Sequence, residues 1–231
     1  MINFAQLEKK LNLKFKRKDL VKSAFIHRSY LNEHPEENLP HNERLEFLGD
    51  AVLGFIVSDY LFSTYSNKSE GDLTNYRSSI VNAKILSEAA SDLSLGSYLL
   101  LSRGEEATGG RNRQYILANT YESFLGAIFL DLGLEASTNF IQKTLIPKLK
   151  NIIEKKLYKD YKSNLQELSQ ERFSITPSYK VLKEEGPDHA KTFIIGVYLG
   201  KKKIAEGNGG SKQAAEQSAA KAALENLNLL D

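Results

Sequence analysis

The sequence has no cysteine in its 231 residues. That excludes disulfides and thiolate metal sites, and it fits a reducing compartment. It also lacks a strong charge of either sign: 31 basic and 29 acidic residues leave a net +2. A nucleic-acid partner would therefore depend on local clusters of charge, not on the total. No apolar run approaches the length of a membrane span. The opening stretch, MINFAQLEKKLNLKFKRKDL, is too interrupted by charge for a signal peptide. The expectation is a cytoplasmic protein with no membrane partner. Internal repeats and low-complexity tails are absent as well. What remains, 41% hydrophobic and 26% charged residues, is globular composition with room for one large domain or two ordinary ones.

Helical periodicity recurs at 4–11, 19–31, 43–64, 72–93, 115–131 and 135–156. The interruptions are Pro35 and Pro40, the segment Ser66–Gly71, and the glycine-rich run RGEEATGG at 103–110. After Lys156 the texture changes. A helix fits 163–172, and SYKVL, KTFIIGVYLG and KKKIAEG read as three short strands. Gly200 marks a tight hairpin between the second and third. The alanine-rich SKQAAEQSAAKAALENL reads as a closing helix. The predicted organisation is an all-α domain over 1–156, a short charged linker at 157–162, and an α+β domain of order α-β-β-β-α over 163–231.

One stretch of the first domain is chemically odd. ERLEFLGD at 43–50 mixes Glu43, Glu46 and Asp50 with Leu45, Phe47 and Leu48. At about 100° per residue the three acids fall within roughly 60° of one helix face. Clustered carboxylates raise one another's pKa unless a cation is present. ILANTYESFLGAIFLD at 116–131 repeats the design, with Asn119 and Glu122 three apart on one face. Two apolar helices with oxygen-bearing stripes can converge on a hard cation. Periodicity alone leaves that reading open beside a plain solvated acidic face.

Four segments carry a resemblance: FIHRSYLNEH at 25–34, HPEENLPHNERLEFLGDAVL at 34–53, EGDLTNYRSSIV at 70–81, and GEEATGGRNRQYILANTYESFLGAIFLD at 104–131. In order and spacing they resemble the motifs of ribonuclease III. The tail, 160–228, resembles a double-stranded RNA-binding domain. The resemblance implies an endonuclease domain followed by that binding domain. It implies hydrolysis of double-stranded RNA to 5′-phosphate and 3′-hydroxyl ends, with ribosomal-RNA precursors among the substrates. It implies Mg²⁺, with Mn²⁺ as a substitute, held by Glu46, Asp50, position 119 and Glu122, with Glu46, Asp50 and Glu122 catalytic. Metal ions can supply what phosphodiester hydrolysis needs, so no covalent nucleophile is required.

Position 119 departs from the family pattern, which has aspartate there. Asn119 can still offer an amide oxygen, but it brings no charge. Lower metal affinity is one expectation, an outer role for Asn119 another. A duplex-binding relative with weakened or lost cleavage is the alternative function. The resemblance also implies a homodimer in which Phe47 fills a socket across the interface and Glu43 lies at the contact. Glu43 is otherwise expected to pair with Arg44 or Arg77, and His27 to be a packed framework residue. In the tail the resemblance places Gln166 and Glu167 on the RNA minor groove, His189 on the next one, and Lys212, behind the N-cap Ser211, on the phosphates. Such modules read A-form shape across about 16 base pairs. The loop 103–113 is open between an RNA contact and a mobile segment.

Overall fold

Helical periodicity dominates the first two thirds of the chain, and nearly all of it becomes helix. The computed structural model describes residues 4–155, 158, 160–187 and 191–229. The chain divides into two compact units, Met1–Tyr158 and Lys159–Asp231. The first runs α1 (Ala5–Leu11), α2 (Lys18–Ser23), α3 (Arg28–Glu33), α4 (Glu43–Thr64), α5 (Glu70–Ile80), α6 (Ala83–Asp92), α7 (Arg103–Ala107), α8 (Gln114–Thr144) and α9 (Ile146–Glu154). The second is α10 (Tyr161–Phe173), β1 (Pro177–Glu185), β2 (Thr192–Leu199), β3 (Lys202–Gly209) and α11 (Lys212–Asn226). The fold class is the one expected: an all-helical unit, then α-β-β-β-α.

Three of the expected helices are divided, each by a local cause. The span 19–31 breaks because Phe25 and His27 turn aside to pair with Leu100, through Leu100 N–H to Phe25 O at 2.8 Å and His27 N–H to Leu100 O at 3.0 Å. His27 then restarts the chain as N-cap of α3, accepting from Ser29 N–H. The span 72–93 breaks at Val81, where the Asn82 side chain accepts from Ile85 N–H and caps α6. The span 135–156 breaks at Leu145, with Pro147 in the first turn of α9. The expected gap near 132–134 survives as a kink inside α8, where Gly133 has φ 83°.

Between α4 and α8 the two backbones touch. A methyl on Gly49 would sit 1.8 Å from the Glu122 carbonyl oxygen, and one on Gly126 would sit 2.3 Å from the Leu45 carbonyl oxygen. Only glycine at both positions permits this approach. Around it lies a core rich in aromatics. Phe124 of α8 meets Phe25 at 5.4 Å between centroids, Phe140 at 5.6 Å and Phe15 at 5.8 Å. By length and composition α8 is apolar enough to cross a membrane. That was not expected from the apolar runs. In the structure its apolar face, including Leu117, Tyr121, Phe124, Leu125 and Ile128, is buried in the core of the first unit.

The second unit is an antiparallel sheet of order β1-β2-β3 with a small core: Leu165, Val197, Ala219, Ala220, Ala223, Leu224 and Leu229. Gly200, at φ 59°, makes the two-residue turn between β2 and β3, as predicted. The glycine-rich stretch 207–210 is mostly strand, not loop. Gly207 and Gly209 lie beneath α11, where added methyls would meet Ala219 N at 2.0 Å and Ala215 N at 2.6 Å. Ala215, Ala219, Ala220 and Ala223 of α11 are buried, whereas Ala222 is only half-buried.

The contact of α4 with α8 makes the first prediction. Gly49→Ala and Gly126→Ala each force the helices apart, at about 1–3 kcal/mol for overpacking. Melting temperature should fall by about 2–12 °C. Gly71→Ala, whose methyl meets nothing nearer than Ser69 Oγ at 3.8 Å, should leave it level or slightly higher. Thermal melts followed by circular dichroism read both.

Candidate active site

The glycine contact sets two acidic stripes side by side. From α4 come Glu43, Glu46 and Asp50; from α8 come Asn119 and Glu122. The structure brings together four of the expected residues. Asn119 sets its amide against the Glu46 carboxylate, and Glu122 lies within the fields of Asp50 and Glu46. Asp50 is exposed, while Glu46, Asn119 and Glu122 are half-buried.

Electrostatics here oppose full ionisation. Burial, then the charges of Asp50 and Glu46, push the Glu122 carboxyl up to about 7. Burial also raises Glu46, helped by Glu43 and Asp50 and partly offset by the Asn119 amide. Among the described residues no three Asp, Glu or His side chains stand close enough to grip one ion as they are. The donor set nonetheless suits a hard cation: three carboxylates and an amide oxygen on two helices locked by backbone contact.

Glu43 is elsewhere. Its partners are Arg28, at 3.5 Å, and His41 Nδ1, at 3.8 Å, not Arg44 or Arg77. Arg77 instead donates to Ser58 Oγ at 3.1 Å. His27 is the framework residue expected, with Nδ1 accepting from Ser29 N–H at 3.3 Å. The loop 103–113 is pinned. Arg113 reaches Glu105 at 2.5 Å and Thr108 O at 3.1 Å. Arg111 binds Glu106 at 2.7 Å and Leu99 O at 2.7 Å. These arginines hold the turn before α8 in place and so help fix Asn119 and Glu122.

Phe47 is 80% exposed at the edge of the acidic stripe. With Phe55 and Phe62 it forms an apolar row along the open face of α4, within about 80°. Sequence reasoning missed Phe55, Phe62 and the glycine pair. The repeated FLG of EFLGD and SFLGA, one on each helix, was the available signal for the glycines. It also missed Asn42 and Tyr115, which line a recess beside Glu46 and Asn119.

In the second unit Ser211 caps α11, accepting from Ala214 N–H at 3.2 Å. Lys212 follows it, paired with Glu184 at 3.1 Å and lying over the Phe193 ring. Gln166 and Glu167 are exposed on α10. Of Lys201, Lys202 and Lys203 after the Gly200 turn, Lys203 pairs with Glu206. His189 lies outside the described residues.

The raised Glu122 carboxyl gives a pH prediction. Unfolded, it ionises near the ordinary 4.5; folded, it keeps its proton to about 7. Between these values the folded state binds more protons, so this group's contribution to stability declines as pH rises. In EDTA, Glu122→Gln should melt above the native protein at pH 8, with the difference closing toward pH 5.

Comparison with known proteins gives the same picture. A model described as ribonuclease-III-like matches residues 17–149, and the double-stranded RNA binding motif matches 161–227. Ribonuclease 3 of Borreliella burgdorferi is 47% identical over 95% of this chain and 90% of its own length. Ribonuclease 3 of Carboxydothermus hydrogenoformans is 48% identical over 97% and 96%. A crystal structure of the nuclease domain of ribonuclease III from Campylobacter jejuni superposes with TM-score 0.58 at 37% identity, covering 64% of this chain and 97% of that domain. A second, concerned with flexibility in the region of that domain involved in dimer formation, gives 0.57 at 38%, covering 62% and 95%. The chain belongs to the ribonuclease III family, the double-stranded-RNA-specific endoribonucleases.

Proposed function

We propose that this chain is a Mg²⁺-dependent, homodimeric endonuclease that cuts duplex RNA at the cluster of Glu46, Asp50, Asn119 and Glu122. The observation that carries the reading is the Glu122 carboxyl pushed up to about 7 by burial and two neighbouring acids. Such a cluster is costly in isolation and favourable around a cation. Glu46, Asp50 and Glu122, with the Asn119 amide oxygen, would hold Mg²⁺ or Mn²⁺. Bound there, such an ion supplies Lewis acidity toward a phosphodiester and toward water.

The chain's own residues orient and confine. The locked pair α4 and α8 keeps the carboxylates on rigid elements. Asn119 steadies Glu46, and the Arg111 and Arg113 contacts hold the entrance to α8. In the reaction a water oxygen bonds to phosphorus and the bond from phosphorus to the 3′ oxygen breaks. A proton ends on that oxygen, leaving 5′-phosphate and 3′-hydroxyl ends. In the second unit Ser211, Lys212, Gln166 and Glu167 form the RNA-facing set, which His189 completes by family pattern. Ribosomal-RNA precursors are the substrates that go with this reading, in the cytoplasm.

Dimerisation is supported by the bare face of α4. Next to Phe47 is a hollow of about 320 Å³ lined by Asp50, Ala51, Gly54, Phe55, Arg77 and Val81. A second copy's Phe47 would have Ala51, Phe55 and Val81 to pack against, and a twofold contact would make each subunit donor and acceptor at once. Phe47→Ala should shift the protein toward monomer at micromolar concentration in sedimentation velocity, with its melting temperature little changed.

Cleavage of a long RNA duplex across a Mg²⁺ titration tests the reaction, with Asn119→Asp beside the native chain. Both should cut, and the aspartate form should reach half-maximal rate at several-fold lower Mg²⁺. Glu122→Gln should bind duplex RNA and fail to cut it. A native chain that binds without cutting at any Mg²⁺ concentration would sink the nuclease reading and leave a duplex-binding protein.

A further inference from the structure

The recess beside the acidic helices has a volume of about 40 Å³ and is lined by His27, Asn42, Glu43, Glu46, Tyr115 and Asn119. Asn42 is its most informative wall. It stands just before α4, where asparagine ordinarily caps the helix. Here its side chain caps nothing. Its backbone is fully used: N–H donates to Ile26 O, and its carbonyl accepts from Leu45 N–H and Glu46 N–H, each at 2.9 Å. The residue is only 4% exposed, and its amide has no hydrogen-bond partner among the described residues. Its amide atoms are not among the buried unpartnered atoms of the described residues, so water reaches them; lining the recess, the amide can donate to and accept from a ligand there.

The other walls say which kind. His27 Nδ1 faces Ser29, with Oγ at 2.8 Å and N–H at 3.3 Å; in the tautomer in which Nδ1 accepts from Ser29, Nε2 carries the proton and is a donor. Glu43 and Glu46 are acceptors, and the Asn42 amide is both donor and acceptor. A phosphate would meet two carboxylates. An ammonium would face the N–H groups of His27 and Asn42. A hydroxyl donates one hydrogen bond and accepts others, so it satisfies both kinds of wall. Glu46 and Asn119 belong to the recess and to the proposed reaction cluster alike, so an occupant would sit beside that cluster.

We infer that this recess takes a ribose 2′-hydroxyl beside the scissile phosphate, making Asn42 and His27 specificity-determining residues for RNA over DNA. The inference rests on the nuclease reading above and deepens it. The 2′-hydroxyl is the group that separates the two nucleic acids at a given site. Nothing in the acidic cluster itself would tell them apart.

The test uses an RNA hairpin cut at one mapped bond, with a series carrying a single 2′-deoxy sugar at each flanking nucleotide in turn. Single-turnover rates of the native chain should fall about 3- to 10-fold at one position, the effect of one hydrogen bond, and stay level at the others. Asn42→Ala should slow the all-ribose hairpin by a similar factor and lose its sensitivity at that position. His27→Asn keeps a capping side chain for α3 while withdrawing the ring donor, so it reports separately from any folding defect. It should show the same lost sensitivity, with thermal melts of both variants run alongside. A flat deoxy profile for the native chain, or unchanged sensitivity in both variants, would overturn the inference while the nuclease reading stood. A native chain unable to cut the all-ribose hairpin would overturn both.

Discussion

The contact of α4 with α8 at Gly49 and Gly126 is the constraint on which the site depends. Each glycine stands where the other helix's backbone would otherwise strike a side chain. The contact removes a side-chain layer from the interface, so residues one turn away on both helices lie nearer than ordinary packing distances of 8–10 Å between axes would bring them. Glu46 and Asp50 flank one glycine, and Glu122 precedes the other by one turn. Their electrostatic coupling follows from this approach. The aromatic packing of Phe124 on Phe25, Phe15 and Phe140 holds the register along α8 that keeps Glu122 facing α4.

Much of this was legible in the sequence because helix geometry is local. The offsets of three and seven in ERLEFLGD put its acids on one face whatever packs behind them. The hairpin at Gly200 was legible for the same reason, since the turn needs positive φ. What was not legible depended on contacts distant in the chain. The break at Phe25–His27 comes from a strand-like pairing with Leu100, more than seventy residues away. Glu43 pairs with Arg28 and not with Arg44 or Arg77, because the α3 segment folds back over the start of α4. The glycine-rich 103–113 segment looked loose, yet arginines reaching Glu105, Glu106 and the Leu99 carbonyl fasten it. The recess at Asn42 was hidden for another reason. An asparagine before a helix reads as a cap, and only the observed backbone shows that its side chain is spared that duty.

Asn119, where the family resemblance implies aspartate, follows the same electrostatic logic. A fourth carboxylate would raise its neighbours further and add to the repulsion already felt at Glu122. An amide adds no such repulsion, and the one at Asn119 partly offsets the rise at Glu46. The cost falls on cation affinity, because the amide offers oxygen without charge. Under the proposed function the chain would trade some grip on the ion for a cluster that is less strained without it, with three ionisable groups left to hold the metal.

The second unit solves a related problem with opposite charges. It binds a polyanion under the proposed function although its eleven bases barely outnumber its ten acids. Lys212, at the capped start of α11, is held by Glu184 and by the face of Phe193. Both ends of that ion pair are well exposed, so the pair contributes about 0–1 kcal/mol. A phosphate meeting Lys212 at the helix N-terminus gains the helix dipole and the free first-turn amides as well. Glu184 offers neither. Exchange of Glu184 for phosphate thus favours the RNA while leaving the lysine ordered beforehand. A neutral module of this kind binds through the placement of a few groups, and its net charge is a poor guide to its partner.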